Sequence, residues 1–260
     1  MVLSGVVFSV EERERLRARL ISVAHGDPRV TAAALTGSAA TGKLDRWSDI
    51  DLALRLDASA DESDVVADWT RRMYGQHDAV HHLDVWRGET RFRVFLLASA
   101  LQVDIAFWTW AKFSATGPAF RLLFGGANEL PIPGPPTAAE LIGTAWLHAL
   151  HARSSIARGR VWQAEYMVSG IRDQILALAC LRHGLPVPHA RGADDLPFDV
   201  THVLAGTLIR SVDVTELTRC FDAAVEALIT EVRPADPSLA DRLTPVLRQL
   251  VVDLAASPPA

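Results

Sequence analysis

Two carboxylates and a Gly-Ser pair are the part of this sequence whose residue types and spacing best suit chemistry. Asp49 and Asp51 lie two residues apart in the apolar run SDIDLAL, and Gly37-Ser38 stands shortly before them in LTGSAATGKL. Alternate residues of a strand share a face, so the two carboxylates repel each other unless a cation lies between them. Since Mg²⁺ binds carboxylate oxygens together with substrate phosphates, the pattern predicts metal-assisted transfer of a nucleotide from a triphosphate.

Asp104 is the best candidate for a third carboxylate at this site. It lies in LQVDIAFW, where Val103, Ile105 and Phe107 alternate with polar or small residues. This alternation predicts that Asp104, like the other two acids, lies on the polar face of a strand. The alternative is that all three acids lie on a solvated face of a sheet and bind nothing.

Gly37 and Ser38 offer backbone N–H groups and a hydroxyl that suit the phosphates of a triphosphate, although a Gly-Ser turn alone is an ordinary connector. The stretch GSAATGK also matches the G-x-x-x-x-G-K of a phosphate-binding P-loop, in which the next residue is Ser or Thr and binds Mg²⁺. Here that residue is Leu44, which argues against a P-loop. Lys43 remains a candidate phosphate contact, with a solvated loop lysine as the alternative.

Periodicity predicts the elements that position these residues. Helices are expected at 10–25 and 61–74, and strands at 31–35, 49–56, 80–86, 91–97 and 101–108, the last three as an antiparallel meander. The breaker cluster Pro131, Pro133, Gly134, Pro135 and Pro136 then predicts a linker. Beyond it, helical periodicity spans 137–158, 160–183, 214–232 and 238–256. We therefore expect an α+β fold, with one domain over residues 1–130 and a helical domain over residues 137–260.

These residues together resemble the nucleotidyltransferase superfamily that includes DNA polymerase β. The shared pattern is Gly-Ser, a spacer of ten residues, Asp-x-Asp between apolar residues and a later Asp on a strand, here Gly37, Ser38, Asp49, Asp51 and Asp104. The chain most resembles the small antibiotic-modifying members, the aminoglycoside and lincosamide nucleotidyltransferases, which append a helical domain to a minimal catalytic domain. The resemblance is carried by residues 31–108.

The resemblance implies a mixed five-stranded sheet with flanking helices, followed by a helical bundle. It implies Mg²⁺ on Asp49 and Asp51, and ATP or another NTP whose phosphates meet Ser38. It also implies an acceptor hydroxyl between the two domains, and Asp104 as either a third metal ligand or the general base. The implied activity is that of an adenylyltransferase, which moves AMP from ATP to a hydroxyl of a small molecule.

The helical half offers a second candidate base. Glu165, Ser169 and Arg172 follow one another at i, i+4 and i+7 of a predicted helix. Glu165 is a candidate to accept the proton of the acceptor hydroxyl or to orient a substrate amine, with a solvent-facing or internally paired row as the alternative. Trp162 and Tyr166 either wall an acceptor pocket or belong to the core.

The composition of the whole chain limits the kinds of molecule that we expect it to bind. A net charge of −5 argues against a protein that grips nucleic acid by bulk charge, and it suits a cationic acceptor such as an aminoglycoside or lincosamide. We expect no membrane-spanning helix, because no run of about 18 apolar residues exists. Cys180 and Cys220 form no CxxC pair, which suits the reducing cytoplasm.

Two other functions remain open. The same chemistry can be directed at a protein or a tRNA, as in nucleotidyltransferases of toxin–antitoxin type. Alternatively, the chain is a nucleotide-binding protein that has lost catalysis. The intact acids argue against this last reading, because drift removes a pair of repelling charges that no longer serves a purpose.

Overall fold

A computed structural model describes residues 8–115, 117, 119–131 and 134–256 of the chain. The chain divides into two compact units between residues 133 and 134. Among the described residues, the first unit contains a mixed sheet with helices and the second contains helices without strands, which confirms the expected α+β class. The bounds 1–130 and 137–260 remain predictions, and Pro133 of the predicted linker lies outside the described residues.

The sheet of the first unit has six strands. They are β1 (Val30–Thr36), β2 (Ile50–Leu56), β3 (Ala79–Arg87), β4 (Thr90–Leu97), β5 (Gln102–Trp108) and β6 (Phe120–Phe124). Their order is β3-β4-β5-β2-β1-β6, and β2 and β5 form its parallel pair among antiparallel neighbours. The predicted meander of β3, β4 and β5 is confirmed. The expected number of five strands is wrong by one, because β6 is short and FRLLF lacks the alternation that marks a half-buried strand.

Three helices accompany the sheet: α1 (Val10–Gly26), α2 (Gly37–Thr41) and α3 (Glu62–Gln76). The larger core joins buried side chains of α1 and α3, such as Leu20 and Trp69, to one face of the sheet, which includes Ile50 and Ile105. The opposite face carries a smaller cluster in which the buried Phe113 covers four alanines, namely Ala32, Ala34, Ala53 and Ala106. The first face is therefore closed by helices, whereas Phe113 closes only part of the second.

The second unit consists of α4 (Ala138–Ala157), α5 (Val161–Arg182), α6 (Phe198–Ala205), α7 (Val214–Ala235) and α8 (Pro237–Ala256). Two short 3-10 turns, Pro188–Ala190 and Ala193–Asp195, precede α6. Four of these helices match the predicted ones to within a few residues, while no element was predicted where α6 lies. Among the described residues, no helix has both the length and the apolar character that a membrane crossing requires.

Candidate active site

The parallel pairing of β2 with β5 brings the three predicted acids together. Asp51 and Asp104 are register partners on these strands, and Asp49 directly precedes β2. One carboxylate oxygen from each of the three residues lies within 4.8 Å of the other two. All three side chains are half-buried on the face of the sheet opposite the larger core. The folded chain thus builds a compact acid cluster from residues that are far apart in sequence.

Gly37 lies against this cluster and has two reasons to be glycine. Its φ is +60°, a conformation that residues with a side chain rarely adopt. A Cβ atom at this position would also lie 2.1 Å from the Asp51 Oδ2 atom. Ser38 follows it, half-buried in the first turn of α2. The predicted Gly-Ser turn is thus the start of a short helix, and its backbone approaches the acids directly.

Lys43 lies on the surface directly after α2 and its cap residue Gly42. Its side chain is exposed, and its backbone N–H donates to the Ser38 carbonyl at 3.1 Å. This bond closes the end of α2, where Gly42 has a φ of +70°. The contact of Lys43 with phosphate therefore stays a prediction.

The side chain of Gln102 connects Asp104 and Asp49 through hydrogen bonds, a role that its sequence position did not reveal. Its side-chain amide donates to Asp104 Oδ1 at 2.9 Å and to Asp49 Oδ2 at 3.5 Å. Burial raises the pKa of the Asp104 carboxyl to about 6, and the Asp49 charge acts in the same direction. The hydrogen bond from Gln102 and the Arg87 guanidinium both oppose this rise in pKa. The negative charges of the cluster are therefore energetically unfavourable, and a bound cation would stabilise them.

Arg13 of α1 supports the loop that leads into Asp49. Its side chain is only 2% exposed, and its guanidinium donates to the backbone carbonyls of Asp45 and Ser48. The sequence analysis missed this role of Arg13. The available signal was the helical spacing, because Arg13 shares its buried face with Leu16 and Leu20.

The donors of the cluster fit a divalent metal ion. All three are carboxylates with an oxygen turned to one point, and oxygen ligands of this type are the ones that Mg²⁺ prefers. All three side chains are half-buried, so water solvates their negative charges only in part. A cation supplies the missing counter-charge, so the residues present are suited to hold one.

Glu165 belongs to the second unit, on α5, and its Oε1 accepts a hydrogen bond from Ser169 Oγ at 2.8 Å. Arg172 donates weakly to the Thr207 carbonyl at 3.5 Å. The internal pairing considered for this row is thus present, and the role of Glu165 as a base stays a prediction. Trp162 and Tyr166 are 73% and 68% exposed, so the core reading of these two residues is wrong.

Comparison with known proteins identifies the first unit. Residues 21–125 match the family model of the nucleotidyltransferase domain. This match spans α2, the acid cluster and all six strands of the sheet. A search among curated protein sequences finds no significant match.

Three solved structures are similar to the chain over most of its length. One is an aminoglycoside 6-adenyltransferase from Bacillus subtilis, at 11% identity and a TM-score of 0.39, covering 94% of this chain and 98% of that one. Another is the polymerase core of TRAMP, an RNA surveillance complex, at 14% identity and a TM-score of 0.31, covering 85% and 59%. The third is a cytoplasmic RNA terminal U-transferase, at 14% identity and a TM-score of 0.30, covering 85% and 67%. None of the three is similar enough to assign a substrate.

Proposed function

We propose that this chain, whose residues 21–125 match the nucleotidyltransferase domain, is a nucleotidyltransferase of the DNA polymerase β-like type that adenylylates a hydroxyl of a small molecule. The observation that carries this proposal is the convergence of Asp49, Asp51 and Asp104 beside Gly37. The donor is ATP and the transferred group is AMP. The proposed acceptor class is a cationic antibiotic of the aminoglycoside or lincosamide type.

The residues of the first unit have distinct tasks in this reaction. Asp49 and Asp51 hold Mg²⁺, and Asp104 is a third ligand or the general base. A bound Mg²⁺ would supply positive charge that stabilises the phosphate oxygens of the donor. Gly37 and Ser38 bind the β- and γ-phosphates through backbone N–H groups and the hydroxyl, and Lys43 adds a positive charge near them.

The transfer is an in-line displacement at the α-phosphorus of ATP. The oxygen of the acceptor hydroxyl forms a bond to this phosphorus, and the bond from the phosphorus to the bridging oxygen breaks. Pyrophosphate leaves with that oxygen and its electron pair. The proton of the hydroxyl passes to the carboxylate of Asp104 or Glu165, the two candidate bases.

Charge supports a cationic acceptor. The chain carries a net charge of −5, and α5 presents Glu165 and the exposed Asp173 on one side. Protonated amines are attracted to such carboxylates. The net charge also argues against nucleic acid as the acceptor. We propose a cytoplasmic location, since Cys180 and Cys220 are free, buried thiols that suit a reducing compartment.

One assay tests the proposal. The protein is incubated with Mg²⁺, each NTP in turn, and a panel of aminoglycosides, lincosamides, proteins and tRNA, while pyrophosphate release and the mass of the acceptor are measured. We expect release with ATP and one small-molecule acceptor, together with an AMP adduct. Asp49→Ala and Asp51→Ala abolish it, whereas Asp64→Ala, at an exposed acid on α3, leaves it unchanged.

The other outcomes of the assay decide between the remaining functions. Adducts that appear only on protein or tRNA would contradict a small-molecule acceptor and favour the toxin–antitoxin type of reaction. Binding of ATP without turnover on any acceptor would indicate a nucleotide-binding protein that has lost catalysis.

A further inference from the structure

The row of side chains that contains Asp51 and Asp104 continues to the edge of the sheet. Asp104 is the register partner of Val94 on β4, and Val94 is the register partner of Leu83 on β3. Residues paired in this way lie on the same face of a sheet. Asp51, Asp104, Val94 and Leu83 therefore form one line on the face that the helices α1 and α3 leave open.

Apolar side chains of β3 and β4 are exposed along this line. Leu83 is 52% exposed, Leu96 49% and Val85 38%, while Val94 is half-buried. We name these four residues the β3–β4 shelf. The same face is closed one residue pair further along the strands, because the side chains of Ala53 and Ala34 are buried in the Phe113 cluster. The acid cluster thus borders a closed apolar surface along β2 and an open one across β4 and β3.

The geometry of the transfer assigns a task to the open side. In an in-line displacement, the attacking and leaving oxygens lie on opposite sides of the phosphorus. Gly37 lies against Asp51 and follows β1, so the leaving pyrophosphate occupies the β1 side of the acids. The attacking hydroxyl then arrives from the side of Asp104, which is the side of the shelf.

We propose that the β3–β4 shelf binds the apolar face of the acceptor, and that the acceptor is an amphipathic small molecule. This inference rests on the proposed function and narrows its substrate class. The acceptor carries its reactive hydroxyl next to an aliphatic surface, which covers Leu83 and Leu96 while the hydroxyl reaches the acids. Among the proposed antibiotics, this favours a lincosamide, with its alkyl-substituted ring, over a wholly polar aminoglycoside.

The size of the shelf also favours a small molecule over a protein. Its exposed side chains offer a few hundred Å², which is the size of an ordinary surface patch. A stable protein interface needs about 800 Å² from each partner. Pairing of two copies along the edge strand β3 is the main alternative occupant, and it is measurable as a change in oligomeric state.

The test compares Leu83→Ser and Leu96→Ser with Val80→Ser. Val80 is a matched control, because it lies on the same strand and is 55% exposed but does not belong to the shelf. The probes are clindamycin, an amphipathic lincosamide, and kanamycin, a wholly polar aminoglycoside. Calorimetry in the presence of Mg²⁺ and α,β-methylene-ATP gives the Kd of each probe without turnover, and light scattering gives the oligomeric state.

We expect clindamycin to bind more tightly than kanamycin to the wild-type protein. Each shelf variant raises the Kd of clindamycin by about five- to tenfold, since part of an apolar contact is lost. The Kd of α,β-methylene-ATP stays unchanged in all variants, and Val80→Ser binds clindamycin as the wild type does. The melting temperatures of the three variants agree, because all three positions are exposed.

Three results would overturn the shelf proposal: an unchanged Kd of clindamycin in both shelf variants, failure of the wild type to bind either probe, or a dimer that these substitutions dissociate. The proposed function fails separately. Binding of clindamycin that depends on the shelf, without pyrophosphate release from ATP and any acceptor, would overturn the function and leave the shelf as a binding site.

Discussion

Asp51 and Asp104 lie side by side on the parallel strands β2 and β5, although a helix and two strands separate them in the chain. Only the folded sheet brings these two carboxylates together, so their repulsion opposes folding unless a cation neutralises it. Asp49 adds a third negative charge at the same point. The site that we assign to metal binding therefore destabilises the folded protein when no cation is bound. Measurements of stability without metal consequently test the site.

Replacing Asp104 with Asn is expected to stabilise the metal-free protein above pH 6. The folded state raises the pKa of this carboxyl from 3.8 to about 6, so folding favours the protonated form. The contribution of Asp104 to stability is fully present below about pH 3.8 and is lost as the pH rises through about 6. Thermal unfolding in EDTA at pH 8 should show a higher melting temperature for Asp104→Asn, and the gain should shrink as the pH falls.

Mg²⁺ is expected to reverse the order of the melting temperatures of the wild type and Asp104→Asn. The ion binds the folded wild type and raises its melting temperature, whereas the variant lacks one carboxylate ligand and gains less. Asp64→Asn removes an exposed acid on α3 and is the control for net charge. A wild-type melting temperature that does not respond to Mg²⁺ would contradict metal binding at the cluster.

Gly37→Ala is expected to lower turnover by about 100-fold, whereas Gly42→Ala leaves turnover near the wild-type value. Both glycines have a positive φ, so both variants lose about 1 kcal/mol of stability to backbone strain. Only at position 37 does the new Cβ clash with Asp51, whereas the space around Gly42 is open. Displacing a carboxylate by about 1 Å lowers the rate by about 100-fold. Steady-state kinetics and melting temperatures of the two variants separate strain from displacement, and equal turnover would contradict the role given to Gly37.

The acid cluster was predictable because strand alternation fixes which face a residue occupies, and it places Asp49, Asp51 and Asp104 on the polar faces of their strands. The pairing of their strands was not, because the parallel contact between β2 and β5 is a long-range event that leaves no local signal. The same alternation predicted an open polar side for β2. Ala53 is nevertheless buried there, because Phe113 comes from a distant loop to cover it.

In the helical unit, the exposure and contacts of side chains were harder to predict from the sequence than the helices themselves. Four of its helices follow from periodicity, but the exposure of Trp162 and Tyr166 does not, since large aromatic residues at i and i+4 usually mark a core face. The helix α6 has only eight residues and follows a segment rich in helix-breaking residues. It contains too few turns for a helical periodicity to be recognised in the sequence. Residues such as Gln102 and Arg13 act through hydrogen bonds between distant segments, which a single sequence does not encode locally.

Arg13→Met should weaken Mg²⁺ binding although Arg13 touches none of the acids. The variant keeps an apolar stem in the core but leaves the carbonyls of Asp45 and Ser48 without their buried donor. The loop before Asp49 then loses its support, and loss of such supporting bonds lowers metal affinity by about 10- to 100-fold. Calorimetric titration with Mg²⁺ measures the change. Arg15→Met, at an exposed position of the same helix, should bind Mg²⁺ as the wild type does, and equal affinities of the two variants would contradict the prediction.

Two ion pairs of the helical unit share their geometry but differ in burial. Arg182 contacts Glu231 through two bonds of 2.6 and 2.9 Å, and Arg248 contacts Glu226 through two bonds of 2.7 and 2.8 Å. Glu231 is 5% exposed, whereas both partners of the second pair are exposed. We expect Glu231→Ala to lower the free energy of unfolding by about 3 kcal/mol and Glu226→Ala by less than about 1 kcal/mol. Chemical denaturation measures the free energy of unfolding of both variants. Equal decreases would show that burial does not determine how much each ion pair contributes to stability.

Glu165→Gln decides whether the helical unit supplies the general base. If Glu165 accepts the proton of the acceptor hydroxyl, the variant lowers kcat by about 10²- to 10⁴-fold and removes the acidic limb from the pH profile of kcat. If Glu165 instead orients a protonated amine of the acceptor, KM for the acceptor rises while kcat stays near the wild-type value. Ser169→Ala removes the hydroxyl that donates to Glu165 and should shift either parameter in the same direction by a smaller factor. Asp222→Asn, at an exposed acid on α7, is the charge-matched control. Near-normal kcat and KM in Glu165→Gln would exclude Glu165 from both roles and leave Asp104 as the candidate base.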